Sequence, residues 1–155
     1  MVKDKFSCEL IPIWAKDEEF TKNTLNAHIE TLNEKATFKN ILDHRCLIVA
    51  TSYYEWRHYE DKTKQKFRIS SQGEEIFSFA GLYSNWLNKE TAEEKLTFTM
   101  ITTETNETMR HVHNIKKRIP VMLKKEDVNK WLSGSPQISQ FAFPYEAPLI
   151  AFPTT

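Results

Sequence analysis

Apolar and polar positions alternate through much of the chain, in short runs separated by polar turns. LTFTMITT (96–103) sets Leu96, Phe98 and Met100 on one face, the pattern of a half-buried strand. KFRIS (66–70) alternates in the same way between two polar turns, EDKTK (60–64) and SQGEE (71–75). RCLIVA (45–50) and IFSFAGLY (76–83) are apolar without alternation and predict buried strands. SYYEWRHY (52–59) follows RCLIVA almost at once and is dense in strand-favouring aromatic residues. IPVML (119–123) predicts a further strand, and NKETAEEK (88–95) a solvated loop. In FSCELIPIWAKDEEF (6–20), Pro12 interrupts the apolar stretch and predicts extended chain and loop.

Helical spacing is scarcer. Leu32, Ala36, Phe38, Ile41 and Leu42 recur near the helical period, which predicts a helix in the second half of 31–44. NETMRHVHN (106–114) predicts a short helix capped by Thr105 or Asn106, and KKEDVNKWL (124–132) one that ends near Gly134. Many short strands with few helices predict an α+β domain that is mainly antiparallel β. Consecutive strands without crossover helices argue against a doubly wound parallel sheet.

Composition narrows the classes. A chain of 155 residues suits one domain, 1–155, with its own core. No apolar run approaches the roughly 18 residues of a membrane span, so no membrane partner is expected. The opening MVKDKFSCEL lacks the apolar stretch of a signal peptide. Two cysteines, Cys8 and Cys46, form no disulfide framework, and a reducing cytoplasm is the expected location. Net charge is zero, so a nucleic-acid partner has to be argued from local clusters.

Two such clusters exist. One joins Lys116, Lys117 and Arg118 to Lys124 and Lys125; the other runs from Arg57 through Lys62, Lys64 and Lys66 to Arg68. Trp14, Trp56, Trp86 and several tyrosines lie among them, and cations beside stacking surfaces suit single strands. Solvated faces are the simpler meaning of the same runs. Glu55 admits two readings as well. On a strand it shares a face with Tyr53, Arg57 and Tyr59, opposite Tyr54, Trp56 and His58. It is then either a wet-face partner of a cation or a carboxylate in a partly dry pocket, raised toward acid/base use. His111 and His113 with His44 and Cys46 offer metal-ligand types without a familiar spacing; a single histidine used as acid/base is the alternative. Cys46 inside its apolar run is expected to be an inert thiol.

Six strings in order carry a resemblance. NAHIET (26–31) is similar to N-A-R-A-E-T, RCLIVATSYYEWR (45–57) to R-C-L-x-P-A-x-G-F-Y-E-W, and HNIKKRIPVML (113–123) to H-x-R-M-P-V-I-L with a short insertion. ELIPIWAKD (9–17), FAGLYSNW (79–86) and TFTMITTETNETMRHVH (97–113) match G-L-I-P-x-W-A, F-A-G-L-W-x-x-W and T-x-I-T-T-x-A-N. From about residue 9 to about residue 132 the chain resembles the SOS-response-associated peptidase (SRAP) family. The resemblance implies a barrel-like, mainly antiparallel fold with short peripheral helices. It implies a monomeric, cytoplasmic, nucleoid-associated protein of bacterial type, without metal or other cofactor. The implied partner is single-stranded DNA, or a single-strand/double-strand junction, carrying an abasic site. In the family an N-terminal cysteine captures the sugar aldehyde as a Schiff base and then as a thiazolidine crosslink. Asn26, Glu55 and His113 take the family's catalytic positions: Asn26 orients the sugar, Glu55 shuttles protons, and His113 assists the Schiff-base chemistry. Trp14, His28, Trp56, Arg57, Lys116, Lys117 and Arg118 are the expected DNA contacts.

The chain also departs from the pattern. It opens MVKDKF where the family opens M-C-G-R, so the nucleophile and an N-terminal strand are expected to be missing, and with them the crosslink. His28 stands where the family has an arginine, which removes a bidentate fork for phosphate. ATSYYEW lacks the glycine of A-x-G-F-Y-E-W. A DNA-binding module without chemistry is one alternative; a metal-dependent hydrolase using His111, His113 and Cys46 is another.

Overall fold

The structure is a computed structural model that describes residues 7–105, 107–115, 117–134, 137–142 and 148–154. Short strands β1 (Ser7–Cys8) and β2 (Asn26–His28) precede β3 (Arg45–Ala50), β4 (Tyr53–His58) and β5 (Lys64–Ser71). Two long strands follow, β6 (Phe77–Leu87) and β7 (Glu94–Glu104). Then come α1 (Glu107–Arg110), β8 (Arg118–Pro120), β9 (Met122–Leu123), α2 (Val128–Leu132) and β10 (Leu149–Thr154).

The strands form two sheets. In the seven-stranded sheet, β6 and β7 pair antiparallel from Gly81 opposite Met100 to Leu87 opposite Glu94. Beyond Gly81 the two strands diverge, and residues 118–123 fill the fork. There β8 pairs with β7, β9 pairs with β6, and Val121 donates to Ile101 O while accepting from the Ala80 N–H. β3 lies on the other side of β6, and β1 and β2 run parallel to β7. The smaller sheet has the order β10-β5-β4, all antiparallel, with β4 and β10 as its edges among the described residues. The α+β, mainly antiparallel class is the one expected. Among the described residues, however, the sheets do not close into a barrel. They meet through side chains, with the Tyr53 ring edge-on to Phe79 at 5.4 Å.

The main core lies on one face of the large sheet, where Ala27, Ala80, Leu82 and Ile101 pack against Leu32, Phe38, Ile41 and Trp131. Trp131 anchors α2: its Nε1 donates to Cys46 O at 3.0 Å, and the Arg45 guanidinium lies 4.7 Å above its ring. A second cluster joins Ile69 of β5 to Met109, Val112 and Ile119, with Tyr53 and Phe67 packed against it.

Three expectations change. The predicted helix in the second half of 31–44 is a succession of turns, with Phe38 and Lys39 donating to Lys35 O, Ile41 to Phe38 O and His44 to Ile41 O. Its apolar residues are core residues all the same, because turns of this pitch bring Leu32, Phe38 and Ile41 to one side. RCLIVA forms β3, but at a sheet edge with Val49 exposed. β10 falls in a stretch for which no strand was expected; it occupies an edge, where Pro153 costs no ladder bond.

Gly81 of β6 stands opposite Cys46 of β3 and Met100 of β7. A Cβ there would lie 2.9 Å from Cys46 Sγ and 3.1 Å from both Ile48 Cδ1 and Thr99 O, and the last is backbone that cannot swing away. Gly81→Ala is expected to cost about 1–3 kcal/mol by overpacking. Thermal unfolding should show a midpoint lowered by several degrees, and an unchanged midpoint would mean that Cys46 and Ile48 rearrange freely.

Candidate active site

Strand alternation turns Tyr53, Glu55 and Arg57 of β4 toward the rest of the molecule, and Tyr54 and Trp56 toward solvent. Opposite Glu55 stands His113, just after α1. His113 Nδ1 lies 2.6 Å from Glu55 Oε2, and the two side chains keep 17% and 19% of their exposure. Local structure holds both. The His113 N–H donates to Met109 O at 2.8 Å, while Met109 and Val112 bury against Ile69. Thr105 N–H donates to Lys117 O and closes the loop that carries the histidine. Asn114 then ties that loop to the end of the edge strand. Its Oδ1 accepts from the His58 N–H at 3.1 Å, and its Nδ2 donates to His58 O at 2.7 Å.

A carboxylate on Nδ1 selects the tautomer that carries its proton there and leaves Nε2 as the proton acceptor. His113 Nε2 is buried and has no hydrogen-bond partner among the described residues. The pair thus leaves Nε2 as the ring nitrogen with an unshared lone pair. Tyr53, two residues before Glu55, stays a phenol: burial first, and the Glu55 charge second, push its pKa up. Arg57 Nε is buried without a hydrogen-bond partner among the described residues, and its guanidinium lies 5.2 Å from the Tyr59 ring centroid.

The other predicted site residues separate into groups. Asn26 and His28 flank the buried Ala27 on β2, opposite Met100 and Thr102. Register puts Gly81 and Phe79 on that same face, which the small sheet approaches through Tyr53. Among the described residues no hydrogen bond joins Asn26 to the pair, and Asn26 is exposed. The pKa of His28 is lowered by burial first, then by Arg118 and Lys35, with Glu30 opposing. Arg118, expected at DNA, is committed elsewhere. It binds Glu30 Oε2 at 2.7 Å, Thr102 Oγ1 at 3.1 Å and Thr102 O at 2.7 Å, and so ties β8 to the turn after β2. Lys117 is exposed, and Lys116 lies outside the described residues.

Trp14 is placed at the far end of the large sheet. It donates to Ala36 O at 3.3 Å and packs edge-on against Phe20, next to Ala15, whose carbonyl accepts from Trp86 Nε1. Phe79 and Trp86 lie seven residues apart on β6, about 23 Å of strand, so Trp14 is remote from Glu55.

An apolar hollow of about 330 Å³ opens on the large sheet among Cys46, Ile48, Tyr83, Leu96 and Phe98. Burial pushes the Cys46 thiol up to about 11, so it is not an active nucleophile at neutral pH. Among the described residues no three of His, Cys, Asp and Glu converge to hold a metal, and His111, invoked for one, is exposed. The sequence reading passed over Asn114 and the Glu30–Arg118 tie. Their only trace was adjacency, Asn114 to His113 and Glu30 to the NAHIET string.

The sequence model of the SOS response associated peptidase (SRAP) family matches residues 4–153. Abasic site processing protein YoqW of Bacillus subtilis (strain 168) is 43% identical over 125 residues, covering 80% of this chain and 54% of its own length. Abasic site processing protein YoaM of the same organism is 40% identical over 143 residues, covering 89% of this chain and 61% of its own. The chain therefore spans little more than half the length of these relatives. A crystal structure of a protein from Bacteroides thetaiotaomicron superposes with a TM-score of 0.91 at 38% identity, covering 97% of this chain and 68% of that one.

Two measurements check the geometry. In nitrogen-15 spectra of the imidazole at neutral pH, His113 should carry its proton on Nδ1, and Glu55→Gln should redistribute it between the two nitrogens; an unaltered tautomer would remove Glu55 as the selector. For Glu30, burial acts to raise its carboxyl, but its own backbone amide, Arg118 and Thr103 together bring it below the ordinary value. Its contribution is therefore complete above the unfolded carboxylate range and is lost as pH falls through the lowered folded value. Glu30→Gln should destabilise the chain at pH 7 by a few tenths to about 1 kcal/mol, the pair being partly exposed. In urea titrations that difference should shrink at pH 3; a gap that widened in acid would contradict the tie.

Proposed function

The chain belongs to the SOS response associated peptidase (SRAP) family, and on that premise we propose that it processes abasic sites in DNA through the Glu55–His113 pair. The observation that carries this reading is the 2.6 Å contact from His113 Nδ1 to Glu55 Oε2, with a buried Nε2 that has no hydrogen-bond partner among the described residues. The names of YoqW and YoaM, abasic site processing proteins, support the substrate.

The chemistry needs two opposite proton transfers. The ring-opened abasic sugar offers an aldehyde at C1′. When an amine attacks that carbon, two protons pass in turn from nitrogen to oxygen: the first makes the alkoxide a hydroxyl, and the second lets it leave as water to give the imine. A thiol then adds across the C=N bond, sulfur bonding to carbon and nitrogen taking the proton, to close a thiazolidine. His113 Nε2 takes the amine proton, Glu55 stabilises the imidazolium through Nδ1, and the same nitrogen returns the proton to the departing hydroxyl. Asn26, from the opposing face, orients the sugar by hydrogen bonding. Trp56 and Arg57, beside Glu55, meet the flanking strand, with His28 and Lys117 as further contacts. Such a site takes an unpaired sugar, hence single-stranded DNA or a single-strand/double-strand junction, and the protein works as a monomer. Neither Cys8 nor Cys46 carries a free α-amine in this sequence. The crosslink needs a cysteine whose α-amine is free.

Free cysteine can stand in for it. The chain should accelerate thiazolidine formation between free cysteine and an oligonucleotide with one abasic site, read by mass spectrometry. Glu55→Gln and His113→Ala should each reduce that acceleration at least tenfold, the low end for acid–base catalysis. Equal rates for the wild-type chain and both variants would remove the pair from the chemistry. A DNA–protein band from the wild-type chain alone that survives denaturing electrophoresis would show that one of its own residues supplies the nucleophile.

A further inference from the structure

The three-stranded sheet is one layer thick, and its two faces differ in kind. Tyr53 and Glu55 of β4, Phe67 and Ile69 of β5, and Leu149 and Ala151 of β10 face inward. The outward rungs alternate aromatic rings and cations. Tyr54, Arg68 and Phe152 form one rung, and Trp56 pairs with Lys66 on the next. Tyr54, Trp56 and Phe152 keep 52%, 48% and 54% of their exposure. Lys66 Nζ lies over two of these rings, 4.2 Å from the Tyr54 centroid and 5.9 Å from that of Trp56. Among the described residues the outward positions of these three strands carry no carboxylate, in a chain whose charges balance overall.

We infer that this outward face is a stacking platform for an intact single-stranded nucleic acid, separate from the Glu55–His113 site. Rings at successive outward positions of β4 stand about 7 Å apart, and those of Tyr54 and Phe152, two strands away, about 10 Å. A stretched single strand can lay unpaired bases on rings at these separations. An ammonium held over two rings is placed for the phosphate that joins the bases resting on them, and Arg68 serves the neighbouring rung. Stacking of this sort is sequence-tolerant, because every base has a π-face. Since β4 is an edge of its sheet among the described residues, a strand can turn round it beside Glu55, short of the Asn114 tie at His58, with flanking bases outside on the rings and one extruded sugar inside at Glu55. The inference rests on the reading of the partner as a nucleic acid, but it does not need the chemistry proposed for the inner face.

Fluorescence anisotropy with labelled, undamaged oligo(dT) and oligo(rU) tests it. The wild-type chain should bind at low salt, and the Tyr54→Ala/Phe152→Ala double variant should bind at least fivefold more weakly. Lys66→Gln and Arg68→Gln, which leave the rings in place, should each reduce the slope of log K against log salt by about 0.7. Retention of both sugars supports a general single-strand platform, and retention of oligo(dT) alone supports a DNA platform. Undamaged strands that bind all variants equally would overturn the platform even if the abasic-site reaction proceeds. Loss of binding in the ring and charge variants would support it even if no reaction at an abasic site is found. Binding to phosphatidylserine vesicles without binding to either oligonucleotide would overturn it in favour of a membrane.

Discussion

The antiparallel ladder between β6 and β7 is the interaction on which the other elements depend. From Gly81–Met100 to Leu87–Glu94 it is continuous, and nearly every other strand of the large sheet is seated against one of its two members. Where the ladder opens, residues 118–123 enter the fork and satisfy the backbone groups that β6 and β7 no longer exchange. Buried peptide groups must find partners, so the fork dictates where that segment runs. The segment in turn is the far end of the loop that carries His113. The position of the imidazole is thus a consequence of how two strands part.

Glu55 reaches the same place by another route. Its strand is an edge of a thin sheet among the described residues, held from one side by the β5 ladder and tied at its end by Asn114. Tyr53 against Phe79 fixes the distance between the sheets. A half-buried carboxylate left alone would carry a desolvation cost of several kcal/mol. Facing an imidazole N–H, it has a hydrogen-bond partner. The same thinness leaves the reverse side of β4 exposed, and adjacent residues of one strand, Glu55 and Trp56, look into opposite environments.

Much of this was legible along the chain. Tyr53, Glu55 and Arg57 do turn away from Tyr54 and Trp56, because a strand reverses its side chains at every residue; Leu96, Phe98 and Met100 share one face too, but it is the opposite face, Thr97, Thr99 and Ile101, that is fully buried. Leu32, Phe38 and Ile41 were recognisable as core residues, but not the backbone that carries them, since successive turns and a helix give similar apolar spacing. β10 was illegible for a different reason: an edge strand with Pro153 has little intrinsic signal and is defined by the β5 ladder it joins. Arg118 looked like a free cation within a basic run, and only the fold brings Glu30 to it across 88 residues of sequence.

The sequence by itself determined the alternation, the turns and the family strings that select Asn26, Glu55 and His113 as candidates. These are local properties, set by side-chain size, polarity and order along the chain. What the tertiary structure alone decided is which candidates meet. Glu55 and His113 are 58 residues apart and share a hydrogen bond, whereas Trp14 is carried to the far end of the large sheet and Arg118 is drawn into an ion pair. Contact between distant residues depends on strand register and on the docking of one sheet against another. Those are fixed by backbone hydrogen bonds and buried surface summed over the whole chain, and no short stretch of sequence contains them.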